Sequence, residues 1–310
     1  MMSTNPATVD AEQEIQRLVA VILGKRPLLA GLVQPVAALF AEKARVASGL
    51  QDDLDPVRFE VSGVRLSEGI PILAGISLSF LKPALDRAFT ALVPAAKTLF
   101  PAVGPYIDRM EIAQRNGSID LSHLSEEYLG GGLKGFRDAP QTSEVDRHGL
   151  GFVVNLVLST VLQPLAASLS AQMEQIHWDR GYCPVCGSLP SISYLSKAEC
   201  SSSEFLVGGG GQRYLHCAMC GQDWRVRRHL CAACERDDTD EHLYFHVPDA
   251  VGERVDICRH CSHYLPCIDL REVDILSHLD ILSVGLAHLD MLAQEKGFSP
   301  LVRTPWNTFE

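Results

Sequence analysis

Tyr182-Cys183-Pro184-Val185-Cys186-Gly187 and Cys217-Ala218-Met219-Cys220-Gly221, followed by Cys231-Ala232-Ala233-Cys234 and Cys258-Arg259-His260-Cys261, decide how this chain is read. Two residues between cysteines let a tight turn aim both sulfurs at one ion while backbone N–H groups hydrogen-bond them, and two such knuckles complete a tetrahedron. Taken in order, the four pairs make two C4 sites, with 30 residues between the pairs of the first and 23 between those of the second. One C-x2-C pair is weak evidence. Four within 79 residues, beside turn formers and aromatics such as Gly187, Gly221, Tyr182 and Tyr264, predict two metal ions per chain. Cys183, Cys186, Cys217 and Cys220 are the expected ligands of the first, and Cys231, Cys234, Cys258 and Cys261 of the second. Four thiolates suit zinc and equally a mononuclear iron, so the ligands alone do not choose between them.

The segments between the knuckles read as small β ribbons. Ile192, Tyr194 and Leu195 form one arm, Arg213-Tyr214-Leu215-His216 leads into the second knuckle and Trp224-Arg225-Val226 leaves it. In the second module Leu243-Tyr244-Phe245-His246-Val247 is the most strand-like run. Two cysteines are left over: Cys200, in a Ser/Gly-rich loop, and Cys267, in the strand-like stretch Leu265 to Leu270. His216, His229, His260 and His263 flank the knuckles and are expected on the surface or behind the ligands, since eight spaced thiolates already suffice.

Composition bounds the partners. The chain has 310 residues, 46% of them hydrophobic, and 27 Lys and Arg against 38 Asp and Glu leave a net charge of -11. Such a charge repels phosphate backbones and anionic membrane surfaces, so nucleic acid is a poor expectation for the partner. The run Arg225-Val226-Arg227-Arg228-His229 is basic, but from Asp179 onward there are 19 acids and 12 bases. Met1 to Glu14 contains no basic segment followed by an apolar run, so the expected compartment is the cytoplasm. Thiols are kept reduced there, and clustered ones bind metal more often than they form disulfides.

All ten cysteines lie between Cys183 and Cys267, which sets an amino-terminal half apart, and that half reads as helical. Asp10, with Gln13 at the capping-box position, is the expected N-cap of a helix carrying Ile15, Leu18, Val19, Ile22 and Leu23. Val36, Leu39 and Phe40 mark a second helix, and Leu85, Phe89, Leu92 and Val93 a third that Pro94, Pro101 and Pro105 are expected to close. Gly69 to Leu81 is an uncharged, buried segment. Leu150 to Met173 carries no formal charge over 24 residues, but Asn155, Thr160, Gln163 and Pro164 dilute it. It is expected to be the central helix of a bundle rather than a membrane span. Gly130 to Gly149 and Ser201 to Gly211 are expected to be loops, the latter the tip of a hairpin. With its own apolar faces, the helical half is expected to hold its core without metal, and each ribbon to fold on its own ion.

From Trp178 onward the chain resembles the formate dehydrogenase accessory proteins, the FdhE family. The resemblance is carried by Tyr182 to Pro190, Arg213 to Cys220 with Trp224, Cys231 to Cys234, Cys258 to Cys261 with Tyr264-Leu265, and the ending His288 to Gly297. It implies an α+β, multidomain chain: a helical domain over residues 1–178, rubredoxin-like or zinc-ribbon C4 modules over 179–228 and 229–275, and a carboxy-terminal helix and tail over 276–310. The eight knuckle cysteines carry over as metal ligands, and no catalytic residues do. The implied function is that of a cytoplasmic factor needed to make active formate dehydrogenase, docking on its large catalytic subunit and not itself an enzyme. Trp224, Arg225, Arg227 and Arg228 are residue types favoured at such interfaces and look exposed. A one-electron redox protein and a zinc-ribbon nucleic-acid binder are the alternative readings.

Overall fold

The computed structural model describes residues 6–50, 54, 61–132, 136, 147–173, 177–197, 211–248, 250–273, 278–304 and 306–308. Its first half is helical. Helix α1 (Pro6–Lys25) is followed by α2 (Ala30–Ser48), α3 (Gly63–Ser67), α4 (Lys82–Leu99), α5 (Gly104–Arg115), α6 (Leu121–Gly131) and α7 (Arg147–Met173). Asp10 is not the cap expected of it. The helix is described from Pro6 onward, and Asp10 falls inside it. The third helix likewise runs through Pro94 to Leu99. Leu92, Val93 and Ala96 are buried on both sides of the proline, and tertiary packing outweighs the lost hydrogen bond. Side-chain caps hold two starts where expectation was silent: Ser62 accepts from Arg65 N–H at α3, and Asp120 from Ser122 and His123 N–H at α6.

Helix α7 is the axis of this layer and packs against α2, α4, α5 and α6. It is long and apolar enough to cross a membrane by length and composition, yet its most apolar window is 72% buried in the protein. Val153, Leu156, Val157, Val161, Leu162, Leu165 and Leu169 are all in the core, and so are Val154 and Leu158 on the flank. Ser159 and Thr160, buried among them, return their hydroxyls to the Leu156 carbonyl at 3.2 and 2.7 Å, so neither hydroxyl is left unpaired in the apolar layer. Of the expected loop from Gly130 to Gly149, Gly131 belongs to α6 and Arg147 opens α7; Phe136 is buried in the same core, and 133–135 and 137–146 lie outside the described residues.

The second half is built on one sheet. Strands β1 (Pro190–Leu195), β2 (Arg213–Cys217) and β3 (Asp223–Val226) form an antiparallel ribbon, as do β4 (His242–His246), β5 (Glu253–Cys258) and β6 (His263–Asp269). The order β3-β2-β1-β6-β5-β4 places the two ribbons side by side in the same sense, joined by the parallel pairing of Ser193 with Cys267 and of Leu195 with Asp269. Residues 198–210, which include Cys200 and most of the expected hairpin tip, stand between β1 and β2 in sequence and lie outside the described residues. Cys267 is fully buried in β6, as its apolar neighbours implied.

Beyond the sheet the carboxy-terminal region is more than one helix and a tail. Helices α8 (Leu279–Gly285) and α9 (Ala287–Glu295) precede β7 (Ser299–Pro300), which pairs with β6. Two apolar cores result. The larger joins α2, α4, α6 and α7 to the first cysteine ribbon; the smaller joins α1 and α2 to β5, β6, α8 and α9. Sheet and cores thus run across positions 178, 228 and 275, and the helical half shares its core with the first cysteine module.

A polar latch ties the carboxy terminus down. Tyr264 Oη in β6 donates to Asp290 Oδ1 in α9 at 2.7 Å, while Gln294 donates both to Tyr264 Oη at 2.9 Å and to the Asn307 carbonyl at 2.8 Å. Burial pushes the Asp290 carboxyl up to about 7, against the opposing pull of its hydrogen bonds. The folded chain therefore holds a proton that the unfolded chain releases near pH 4, so this group lowers stability as pH rises from about 4 to 7. Asp290→Asn should remove that component: urea unfolding at pH 5 and pH 8 should differ less in the variant than in the parent, and an unchanged difference would place the pH dependence elsewhere.

Candidate metal centres

The four knuckles share one local geometry. In each, the residue after the second cysteine returns its N–H to the carbonyl of the first: Gly187 to Cys183 at 2.9 Å, Gly221 to Cys217 at 3.2 Å, Glu235 to Cys231 at 2.8 Å and Ser262 to Cys258 at 2.9 Å. That residue has positive φ every time, 79°, 69°, 57° and 56° in the same order. The turn then closes on the strand, as Cys183 N–H meets the Ser188 carbonyl, Cys217 the Gln222 carbonyl and Cys231 the Arg236 carbonyl. Met219 and Cys220 N–H both approach Cys217 Sγ at 3.4 Å, the amide-to-sulfur contact that a thiolate needs.

Sequence order gave the right partners. Cys183, Cys186, Cys217 and Cys220 come together, and so do Cys231, Cys234, Cys258 and Cys261, with the four sulfurs of each group within 4.8 Å of one another. Facing sulfurs stand 3.5 Å apart from Cys183 to Cys220 and from Cys186 to Cys217. In the second group Cys231 and Cys261 are 3.6 Å apart, and Cys234 and Cys258 3.8 Å. A disulfide needs about 2.05 Å, whereas four thiolates bonded at about 2.3 Å to a tetrahedral ion stand about 3.8 Å apart. The donor set therefore fits a thiophilic ion in each group, and all eight thiols are free. Cys267 stands apart from both groups, with its sulfur directed to the Ile268 carbonyl.

The surroundings differ between the groups. The first is roofed by the segment that the sequence marked only as buried: Ile72 and Leu73 N–H donate to the Pro184 and Val185 carbonyls at 2.9 Å, and Tyr182 Oη donates to the Gly69 carbonyl at 2.7 Å. A side-chain carbon at Gly187 would lie 3.3 Å from Pro71. The second group is tied to the first through Gly181, where an added carbon would sit 2.2 Å from the Ala232 carbonyl, and whose N–H donates to Glu235 Oε1 at 2.8 Å.

Charged groups bind the modules together. Arg213 Nη2 in β2 reaches Asp256 Oδ2 in β5 at 3.0 Å, both side chains nearly inaccessible, and Arg213 Nη1 donates to the Leu230 carbonyl at 2.7 Å. His216 is not a surface group. It lies buried beside its knuckle, Nδ1 2.6 Å from Asp223 and Nε2 3.4 Å from Asp280 of α8. Burial alone would lower its pKa, but the hydrogen bonds and charges of Asp223 and Asp280 outweigh it and raise the imidazole to about 10. Asp223 is the cross-strand neighbour of His216 in the β2–β3 hairpin, whereas Asp256 and Asp280 lie on elements distant in the chain, so neither cluster announces itself in sequence.

The expected exposed patch is partly corrected. Trp224 is buried, its indole N–H donating to the Arg180 carbonyl at 2.9 Å, since it faces inward from β3 while Arg225 between the two inward residues points out. Arg225, Arg227 and Arg228 are exposed, but Arg227 is held between Asp179 and Asp237 at 2.6 Å each.

Residues 182–228 match the family model described as the FdhE central domain. The FdhE homolog of Aquifex aeolicus is 31% identical over 153 residues, 49% of this chain and 51% of that protein. The FdhE homolog of Haemophilus ducreyi is 27% identical over 212 residues, covering 67% and 60%. The matched part thus spans about half the length of these curated relatives. The crystal structure of the FdhE protein from Pseudomonas aeruginosa aligns over 95% of this chain and 94% of its own at a TM-score of 0.61 and 19% identity, which shows the same fold. The resemblance to the FdhE family carried by the knuckles is borne out, and so is the mixed architecture of helical layer and paired cysteine ribbons.

Proposed function

From the similarity to FdhE proteins, we propose that this chain is a non-catalytic accessory factor for formate dehydrogenase, docking in the cytoplasm on the enzyme's large catalytic subunit while that subunit is completed. The observation that carries the reading is the pair of four-thiolate clusters set in an FdhE-like fold. In this reading each cluster holds one iron or zinc ion through its four cysteines. Such an ion would add folding energy and fix the ribbon, and four protein ligands leave it no position for a substrate, which suits a scaffold better than an enzyme. The net charge of -11 favours a protein partner over nucleic acid. Helix α7 is enclosed by other helices, in keeping with a factor that does not insert into a membrane.

Deleting the gene in its own host should bring formate dehydrogenase activity close to background, with recovery on re-expression of the full chain and capture of the large subunit by the tagged protein. Normal activity in the deleted strain would overturn the reading.

A further inference from the structure

The two cysteine groups are built alike and housed differently. In the first, Cys183, Cys186, Cys217 and Cys220 are exposed by 0, 6, 0 and 2%, and all four belong to the main apolar core together with Val185, Met219, Leu165 and Leu169. Its first knuckle is covered by backbone hydrogen bonds from Ile72 and Leu73, and Gly221 of its second lies against Gln163 of α7. In the second, Cys231 and Cys258 are buried, while Cys234 and Cys261 are only half-buried and stand one on each knuckle. One side of that tetrahedron is therefore open to solution.

The closing turns differ in the same direction. Positive φ costs nothing extra at Gly187 and Gly221, but the same backbone is adopted by Glu235 and Ser262, where a side chain crowds the left-handed conformation. Glu235 is held there by its carboxylate, which accepts from Gly181 N–H and lies 3.6 Å from Arg180. Both knuckles of the exposed group thus carry backbone strain, and neither knuckle of the buried group does.

We infer that the two sites divide the work: the buried group keeps its ion as part of the core, and Cys231, Cys234, Cys258 and Cys261 form an exchangeable site that trades a thiophilic divalent ion with an external thiolate or nitrogen ligand. Exchange proceeds at Cys234 or Cys261. An incoming donor bonds to the ion from the open side as one metal–sulfur bond breaks, the freed thiolate takes a proton from water, and no change of oxidation state is involved. The first group offers no such approach, because an incoming donor would have to displace the helical layer first.

This inference rests on the reading that both groups hold metal. The test uses the full chain loaded with zinc and challenged with a chromogenic pyridylazo chelator in the presence of iodoacetamide, with alkylated cysteines located by mass spectrometry. Two zinc ions should leave in two phases differing by at least about tenfold in rate, equivalent to about 1.4 kcal/mol in barrier. Label should appear first on Cys234 and Cys261, then on Cys231 and Cys258, with Cys183, Cys186, Cys217 and Cys220 last. A single phase releasing both ions, or early label on the first group, would overturn the division while leaving the metal reading intact. Failure to take up zinc or iron at all would overturn the metal reading and the inference with it.

Discussion

Replacing Cys183 and Cys186 together by alanine should unfold far more than the ribbon they belong to. A structural ion bound by cysteines contributes about 10–16 kcal/mol, comparable with the 5–15 kcal/mol that holds a whole domain folded. The first group sits in the same apolar core as Leu85, Phe89, Leu158 and Leu162, so its loss opens a hole beneath the central helix. The variant should lose the cooperative helical transition seen by circular dichroism and accumulate as insoluble protein. The matching pair Cys231→Ala and Cys234→Ala lies at the half-open site and should retain a cooperative helical transition at lower temperature. A normal transition in the first variant would mean that the helical layer stands alone, which is what the absence of cysteine before Cys183 suggests when the sequence is read by itself.

Asp256→Ala should be the most damaging substitution away from the cysteines, at about 3–5 kcal/mol. Its carboxylate serves Arg213 at 3.0 Å and Arg254 at 3.1 Å, and Ser193 Oγ approaches it at 3.4 Å, all within the sheet joining the two modules. Removing it takes the ion partner from Arg213 in a buried setting, while Arg254 keeps the charge of Asp269 nearby. Burial alone would raise the Asp256 pKa, but the charges of Arg213 and Arg254 lower it below the ordinary carboxylate value. The group therefore contributes stability above about pH 4, and that contribution is lost as pH falls through the depressed folded value. Denaturant midpoints of Asp256→Ala, Arg213→Met and the double variant Arg213→Met/Asp256→Leu check the interpretation. The double variant, with an apolar pair of similar volume, should recover much of the loss, because a buried ion pair is costly chiefly when one partner is removed. Equal damage in single and double variants would mean that Arg213 acts through the Leu230 carbonyl rather than through Asp256.

What was legible in the sequence is what short-range spacing controls. Two residues between cysteines specify a knuckle, and four knuckles in order specify two groups, because the ion's geometry is satisfied within a few residues of chain on each side. Helical periodicity likewise marked the buried faces of α1, α2, α4 and α7, and β-rich composition marked five of the six ribbon arms, while β5, with Glu253, Arg254 and Asp256 along it, gave no such signal. What periodicity specifies is a face, never the element that will cover it. The parallel seam between β1 and β6, the roof that Ile72 and Leu73 place over the first knuckle, the inward turn of Trp224 and the Arg213–Asp256 pair all join positions distant in the chain. Pro94 inside α4 belongs with them, since a local signal for ending a helix was outweighed by packing, and Asp10, a local signal for starting one, lies inside α1. The contrast between a buried and a half-open cysteine group is also tertiary. The two groups have the same ligands in the same C-x2-C pairs, and it is the helical layer closing over one of them that makes their exposure different.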